Sequence, residues 1–310
     1  MKLDFFNCPK PASFPQELSL AEPPNFVTYE PNWELVNLAT EQFKDYQHIL
    51  VIGHGGSITS LYGLYYAMHD RTKKKIYFLS TLDPDDIAEL KAKLDSKTTL
   101  VVAISKSGET VTQLEALMHF INYPLLVVAG QDTPLYEIGK RLKASIINYP
   151  PIGGRFTGLT EVALLPAAIA GLPVQEFFAG GQPLYKQFAG DNLAWKLASV
   201  IYQLESQGYS NVFIPIYSHY LFALSTLIVQ LCHETFGKGG LGQTYFVHEA
   251  PESQHHTNQR FLGGRKNIIG CFISQDSYRH QTETIVPPGL HSVPIKNQHL
   301  YMLNKVPLGA

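Results

Sequence analysis

Thr99-Leu100-Val101-Val102-Ala103-Ile104-Ser105-Lys106-Ser107-Gly108-Glu109-Thr110 joins a short, largely apolar run to a polar turn rich in hydroxyls. A run of this length without polar alternation reads as a strand buried on both faces, and the stretch after the turn, 109–120, reads as a helix. Comparable runs stand on either side at 48–53, 75–79, 125–129 and, more weakly, 144–147. Helical stretches separate them. One covers 134–142, and another opens at Asp83-Pro84-Asp85-Asp86, which supplies an N-cap, a proline at the first helical position and acids in the first turn, and runs to about Lys93. Short apolar runs alternating with helices predict a parallel sheet covered by helices on both faces.

Working outward, Trp33, Leu35, Val36, Leu38 and Phe43 mark a helical stripe before the first strand. Residues 1–31 carry prolines at 9, 11, 15, 23, 24 and 31 and no apolar period, so they are expected to form an irregular N-terminal arm lying on the body. Downstream, 160–170 reads as a helix despite Pro166, and Ala179-Gly180-Gly181-Gln182-Pro183 as a boundary. Asp191 is then expected to cap a helix ending at Gly208. A strand at 211–216, one long helix from His219 to Glu234, and strands near 244–247 and 267–273 follow. The pattern of the first unit thus starts again. The expected organisation is an α/β chain of two units, 32–180 and 190–310, with mainly parallel sheets. The second is expected to be short, because the chain turns irregular after Gln275 and stops at Ala310.

The composition suits this layout. Of 310 residues 45% are hydrophobic and 16% charged, and 24 Lys+Arg against 26 Asp+Glu leave a formal net charge of −2. Two domains of ordinary size are expected from the length, and the charge balance gives no general attraction to nucleic acid or an anionic membrane. Three scattered cysteines, Cys8, Cys232 and Cys271, form no disulfide framework or metal-ligand spacing, so a reducing cytoplasm is expected. No apolar segment near the N-terminus resembles a signal peptide, and no window approaches 18 consecutive apolar residues, so no membrane association is expected.

Three turns at strand ends carry chemistry. Ser105–Thr110 offers hydroxyls at 105, 107 and 110, backbone N–H groups at a helix start, and Gly108 for close backbone approach, which suits a phosphate; a serine-rich loop that only caps its helix is the other reading. Gly53-His54-Gly55-Gly56-Ser57 invites a dinucleotide reading, but the next strand ends in Leu79-Ser80-Thr81 without the acid that would hold a ribose. Its glycines instead allow a ligand close to the backbone with Ser57 as a donor, or form a plain tight turn. Gly153-Gly154-Arg155-Phe156-Thr157 places a permanent cation on a glycine turn, where it can stabilise an oxyanion or sit in a surface ion pair.

The second unit concentrates its titratable groups between Cys232 and Gln259. His233-Glu234 and His248-Glu249 each resemble the start of H-E-x-x-H, but position 237 is Gly and 252 is Glu, so no zinc motif is completed. No metal and no cofactor is expected. Glu234, Glu249, Glu252 and His255 remain as carboxylates and imidazole suited to proton transfer.

A phosphate loop, an arginine on a turn and a Glu/His set describe an enzyme that moves protons on a phosphorylated sugar, and the residues resemble the phosphoglucose isomerase family, built from two sugar-isomerase (SIS) domains. Ser105–Thr110 resembles its phosphate loop, Gly53–Ser57 its Gly-x-Gly-Gly-Ser turn, and Gly153–Thr157 its Gly-Gly-Arg-[Phe/Tyr]-[Ser/Thr] signature, in family order. The resemblance covers roughly 34–273 and implies two three-layer αβα domains. It implies that Ser105, Lys106, Ser107 and Thr110 hold the phosphate, that Gly56 and Ser57 touch the sugar, and that Arg155 stabilises an enediolate. Glu234-Thr235-Phe236-Gly237-Lys238 is similar to the family's Glu-Ser-x-Gly-Lys segment, whose glutamate in shorter bacterial members pairs with a histidine 21 positions on, here His255. In longer members the base lies in a Gly-Glu-Pro segment before a Gln-His, which points to Glu249, with Glu252 close by.

The implied activity is a metal-free interconversion of glucose 6-phosphate and fructose 6-phosphate in glycolysis and gluconeogenesis, in a cytoplasmic homodimer whose partner molecule is a small sugar phosphate. A non-catalytic sugar-phosphate-binding SIS protein and a dual phosphoglucose/phosphomannose isomerase are the alternatives. Family members also carry a catalytic lysine on a C-terminal helix. Lys305, in Leu303-Asn304-Lys305-Val306-Pro307, does not resemble it.

Overall fold

The structure, a computed structural model, describes residues 2–15, 17 and 22–280. Helix α1 (Trp33–Gln42) leads into strand β1 (His48–Ile52), α2 (Thr59–Met68), β2 (Lys75–Leu79), α3 (Pro84–Lys93), β3 (Thr99–Ser105), α4 (Val111–Met118), β4 (Leu125–Ala129), α5 (Pro134–Arg141) and β5 (Ser145–Asn148). The five strands are all parallel in the order β2-β1-β3-β4-β5. Side chains alternate between the two faces of a strand, and both faces are covered. Ile49 and Val51 pack with Leu100, Val102 and Ile104 against α1, α2 and α6 (Glu161–Ile169). Leu50 and Ile52 pack with Val101 and Ala103 against α3, α4 and α5. This two-sided burial is why the strands read as unbroken apolar runs. Asp83 caps α3 through Asp85 N–H with Pro84 in the first turn, as its sequence predicts.

The strand order reverses between β1 and β3: the chain leaves β1 towards β2 on one side and β3 towards β4 on the other. Their carboxyl ends therefore flank a crevice, the usual ligand position in an open parallel sheet.

Beyond α6, α7 (Val174–Lys186) and α8 (Leu193–Ser206) lead to β6 (Asn211–Ile216), α9 (His219–Phe222), α10 (Ser225–Phe236), β7 (Thr244–Glu249), α11 (Glu252–Asn258) and β8 (Ile268–Gly270). The second sheet is parallel in the order β7-β6-β8, and an isolated bridge joins Ile216 to Ile273. Ile216, Val212 and Val247 form its core with Ile228, Val229 and Cys232 of α10.

Several sequence expectations change. Gly180, Gly181 and Pro183 lie inside α7 and do not break it: a Cβ at Gly181 would come within 2.8 Å of Leu159, so that glycine lets the helix pass close to its neighbour. The cap of α8 is Asn192, whose side chain accepts from Trp195 N–H, one residue after the expected Asp191. The expected long helix from His219 is two, parted at Ala223 and Leu224. The expected strand at 267–273 is reduced to three residues and a bridge. Lys305 lies outside the described residues.

The proline-rich arm is held at several points. Ala12 exchanges hydrogen bonds with Ser199 and Trp195, Phe26 stacks on Phe156 at 4.4 Å, and a four-residue helix, Asn25–Thr28, carries that contact. Glu161, buried in the first turn of α6, accepts from Tyr29 hydroxyl at 2.8 Å and Asn32 N–H at 2.6 Å. Burial and this carboxylate push the Tyr29 phenol well above its ordinary value.

Candidate active site

All six residues expected to bind a sugar phosphate line one cavity of about 420 Å³ at the β1/β3 crevice: Gly56, Ser57, Ser105, Lys106, Ser107 and Thr110. Ser105 ends β3 and is buried, and its Oγ accepts from Gly108 N–H at 3.0 Å, folding the loop back on itself. Gly108 has φ +63°, and a Cβ there would stand 2.2 Å from Thr133 Oγ1, so only glycine completes the loop. No side chain caps α4 at Thr110. The Thr110 side chain therefore does not act as a cap, and the positive dipole end of α4 lies at the cavity.

Four further residues line the cavity: His54 and Gly154, which belong to the two glycine turns but have no predicted role there, and Gln113 and Tyr149, which stand outside every motif. Gln113, 2% exposed, donates from Nε2 to Ile52 O at 3.0 Å and Ile104 O at 2.7 Å, tying the carboxyl ends of β1 and β3 together where both strands give way to the turns that line the cavity. Gln113→Leu would remove a side-chain donor from each of these two carbonyls, at about 0.5–1.5 kcal/mol for each bond. Its urea unfolding midpoint is expected to fall at unchanged slope; an unchanged midpoint would show that the tie carries no stability. His54 Nε2 lies 3.1 Å from Thr112 Oγ1, and burial lowers the imidazole's pKa, which favours the neutral form at pH 7.

The arginine turn leans over this crevice. Thr157 Oγ1 is shared between Gly56 O at 3.0 Å and Gly154 O at 2.9 Å, clasping the two glycine turns together. Arg155 reaches Glu234 at the end of α10, with Nη1 2.6 Å from Oε2. The other carboxylate oxygen of Glu234 accepts from Gln230 Nε2 at 2.9 Å, and Gln230 Oε1 accepts from Thr59 Oγ1 at 3.2 Å. The Gln230 bond and then the Arg155 bond and charge hold the Glu234 carboxyl below its ordinary value, against the burial that raises it. Gln230 stands one helical turn before Glu234, a spacing that would have revealed it.

The other acid–base candidates stand elsewhere. Glu249, at the carboxyl end of β7, pairs with His219 at 2.9 Å; Glu252 lies 3.4 Å from His256. His255 is exposed on α11 and has no hydrogen bond or ion pair to Glu234 or Arg155. Among the described residues no group of three or more His, Cys, Asp or Glu side chains is placed to hold a metal, and no helix is long and apolar enough to cross a membrane.

Comparison with known proteins bears on the family and the fold. The family model described as phosphoglucose isomerase matches residues 36–253. The glucose-6-phosphate isomerase of Carboxydothermus hydrogenoformans is 25% identical over 82% of this chain and 62% of its own length. That of Methanocaldococcus jannaschii is 26% identical over 77% and 62%. The chain spans about three fifths of the length of the curated relatives it matches. Among solved structures, a hypothetical protein from Thermus thermophilus matches with a TM-score of 0.78 at 24% identity, over 91% of this chain and 71% of that one. A glucose-6-phosphate isomerase from Chlamydia trachomatis matches with 0.71 at 21%, over 87% and 55%. These two structures show the shared fold.

Proposed function

Because the chain belongs to the phosphoglucose isomerase family, we propose that it is an aldose–ketose isomerase interconverting glucose 6-phosphate and fructose 6-phosphate. The observation that carries the proposal is the meeting of Arg155 and Glu234 beside a cavity lined by Ser105, Ser107 and Thr110. The loop hydroxyls, the N-terminus of α4 and Lys106 bind the phosphate, which fixes the sugar chain. Gly56 and Ser57, which line the same cavity, meet the sugar.

Glu234 is the base. Its carboxylate takes the proton from the carbon beside the carbonyl and returns it to the neighbouring carbon, while a hydroxyl proton passes between the two oxygens. The charge on the cis-enediolate faces the Arg155 guanidinium, which cannot lose its own proton. Bonds are only redistributed within the substrate, so the reaction consumes no oxidant or reductant. His255 is assigned to ring opening, and Glu249, paired with His219, to a supporting position. The chain acts as a cytoplasmic homodimer in glycolysis and gluconeogenesis.

The purified chain is expected to convert fructose 6-phosphate to glucose 6-phosphate in a chelator-treated buffer, read by a coupled assay. Binding of the sugar phosphate with no turnover would overturn the isomerase reading in favour of a binding protein, and turnover of mannose 6-phosphate in the same assay would widen its specificity.

A further inference from the structure

The phenol of Tyr149 is a buried donor with nothing to donate to. The residue is 8% exposed, and its hydroxyl is shut off from solvent without a hydrogen-bond partner. It nevertheless lines the cavity, and a Cβ built on Gly154 would lie 3.9 Å from the phenolic oxygen, which places the hydroxyl at the arginine turn. Thr157 already shares its hydroxyl with Gly56 and Gly154 carbonyls. Burial raises the phenol's pKa, and the neighbouring Ser57 and Thr157 hydroxyls draw it partly back without completing a bond of normal length and angle. An orphaned buried hydroxyl costs about 1–3 kcal/mol, so one retained in a ligand cavity marks where a ligand atom belongs.

We infer that Tyr149 is a substrate-contacting residue whose O–H donates to a sugar oxygen of the bound phosphosugar. The sugar end, not the phosphate, is its target, because the hydroxyl stands beside Gly154 and Ser57 whereas the phosphate donors come from the β3 loop. The inference rests on the phosphosugar reading above.

The test is Tyr149→Phe, which removes one oxygen and keeps the ring. Wild type and variant are titrated calorimetrically with glucose 6-phosphate and with inorganic phosphate, and both are melted without ligand. The expected result is a glucose 6-phosphate Kd raised about tenfold, an unchanged phosphate Kd, and a Tm that is unchanged or higher because the orphan is gone. A Tm lower by about 3 °C or more would show that Ser57 or Thr157 is the true partner and overturn the inference. Equal weakening of both ligands would overturn the assignment to the sugar end, and an unchanged sugar-phosphate Kd would overturn the contact itself. A wild-type chain that binds phosphate and no sugar phosphate would remove the proposed function and this inference together; a wild type that binds both while the variant matches it removes only the inference.

Discussion

Glu234→Gln is expected to lower isomerase turnover by about 10²- to 10⁴-fold, the range that a positioned general base supplies, while phosphate binding stays close to wild type. The substitution keeps the shape of the side chain and removes its ability to hold a proton. One oxygen still accepts from Gln230, but the new amide group would turn a donor towards Arg155, which now meets its acceptor at 2.6 Å. The phosphate loop, on β3 and α4, is untouched. The wild-type pH profile gives a second reading. Glu234 is held below the ordinary carboxyl value of 4.5, so it is ionised at all pH values above that, and the acid limb of kcat/KM is expected to lie below pH 4.5. The same depression means that its contribution to stability is present above the unfolded-state value and lost as pH falls through the folded-state one. The side chain is half exposed, so that contribution is small. Loss of turnover in Glu249→Gln with retention in Glu234→Gln would move the base to the end of β7.

The first sheet and the turns at its strand ends are legible in the sequence because their causes are local. Burial on both faces makes strands such as Thr99–Ser105 uniformly apolar, and special backbone positions such as Gly108 select glycine. What the sequence could not disclose is convergence. Arg155 and Glu234 stand 79 positions apart, and Thr59 and Gln230 stand 171 apart, so no local pattern announces their contact. Gln113 looks like any polar residue on a helix, and its role follows only from the adjacency of β1 and β3. Tyr149 follows an edge strand and lies four residues before the Gly153–Thr157 turn, outside the motif itself. The misreading at Gly180-Gly181-Gln182-Pro183 has the opposite origin: composition signalled a break, but packing of α7 against its neighbours outweighs the weak local preference.

Gly56→Ala is expected to dismantle the site. A Cβ at Gly56 would lie 2.0 Å from Gly154 O, 2.2 Å from Gly154 C and 2.8 Å from Arg155 N. All three are backbone atoms, which cannot rotate away, so the turns must separate. Separation breaks the Thr157 bond to Gly56 O, the one half of the clasp that crosses between the turns, and carries Arg155 away from Glu234 and the cavity. Overpacking of this kind costs about 1–3 kcal/mol of stability. A catalytic group displaced by roughly 1 Å loses on the order of 10²-fold in rate, and the loss in kcat/KM is expected to be at least that large. Gly180→Ala isolates the cause. Position 180 lies inside α7, with nothing within 4 Å of a built Cβ, so the same added methyl is expected to stabilise the protein by about 0.5–1 kcal/mol through helix propensity alone. Opposite signs for one chemical change, read as unfolding midpoints alongside kcat/KM, would place the requirement for glycine at position 56 in the contact between the two turns; wild-type midpoint and kcat/KM in Gly56→Ala would show that the turns are not locked as the structure has them.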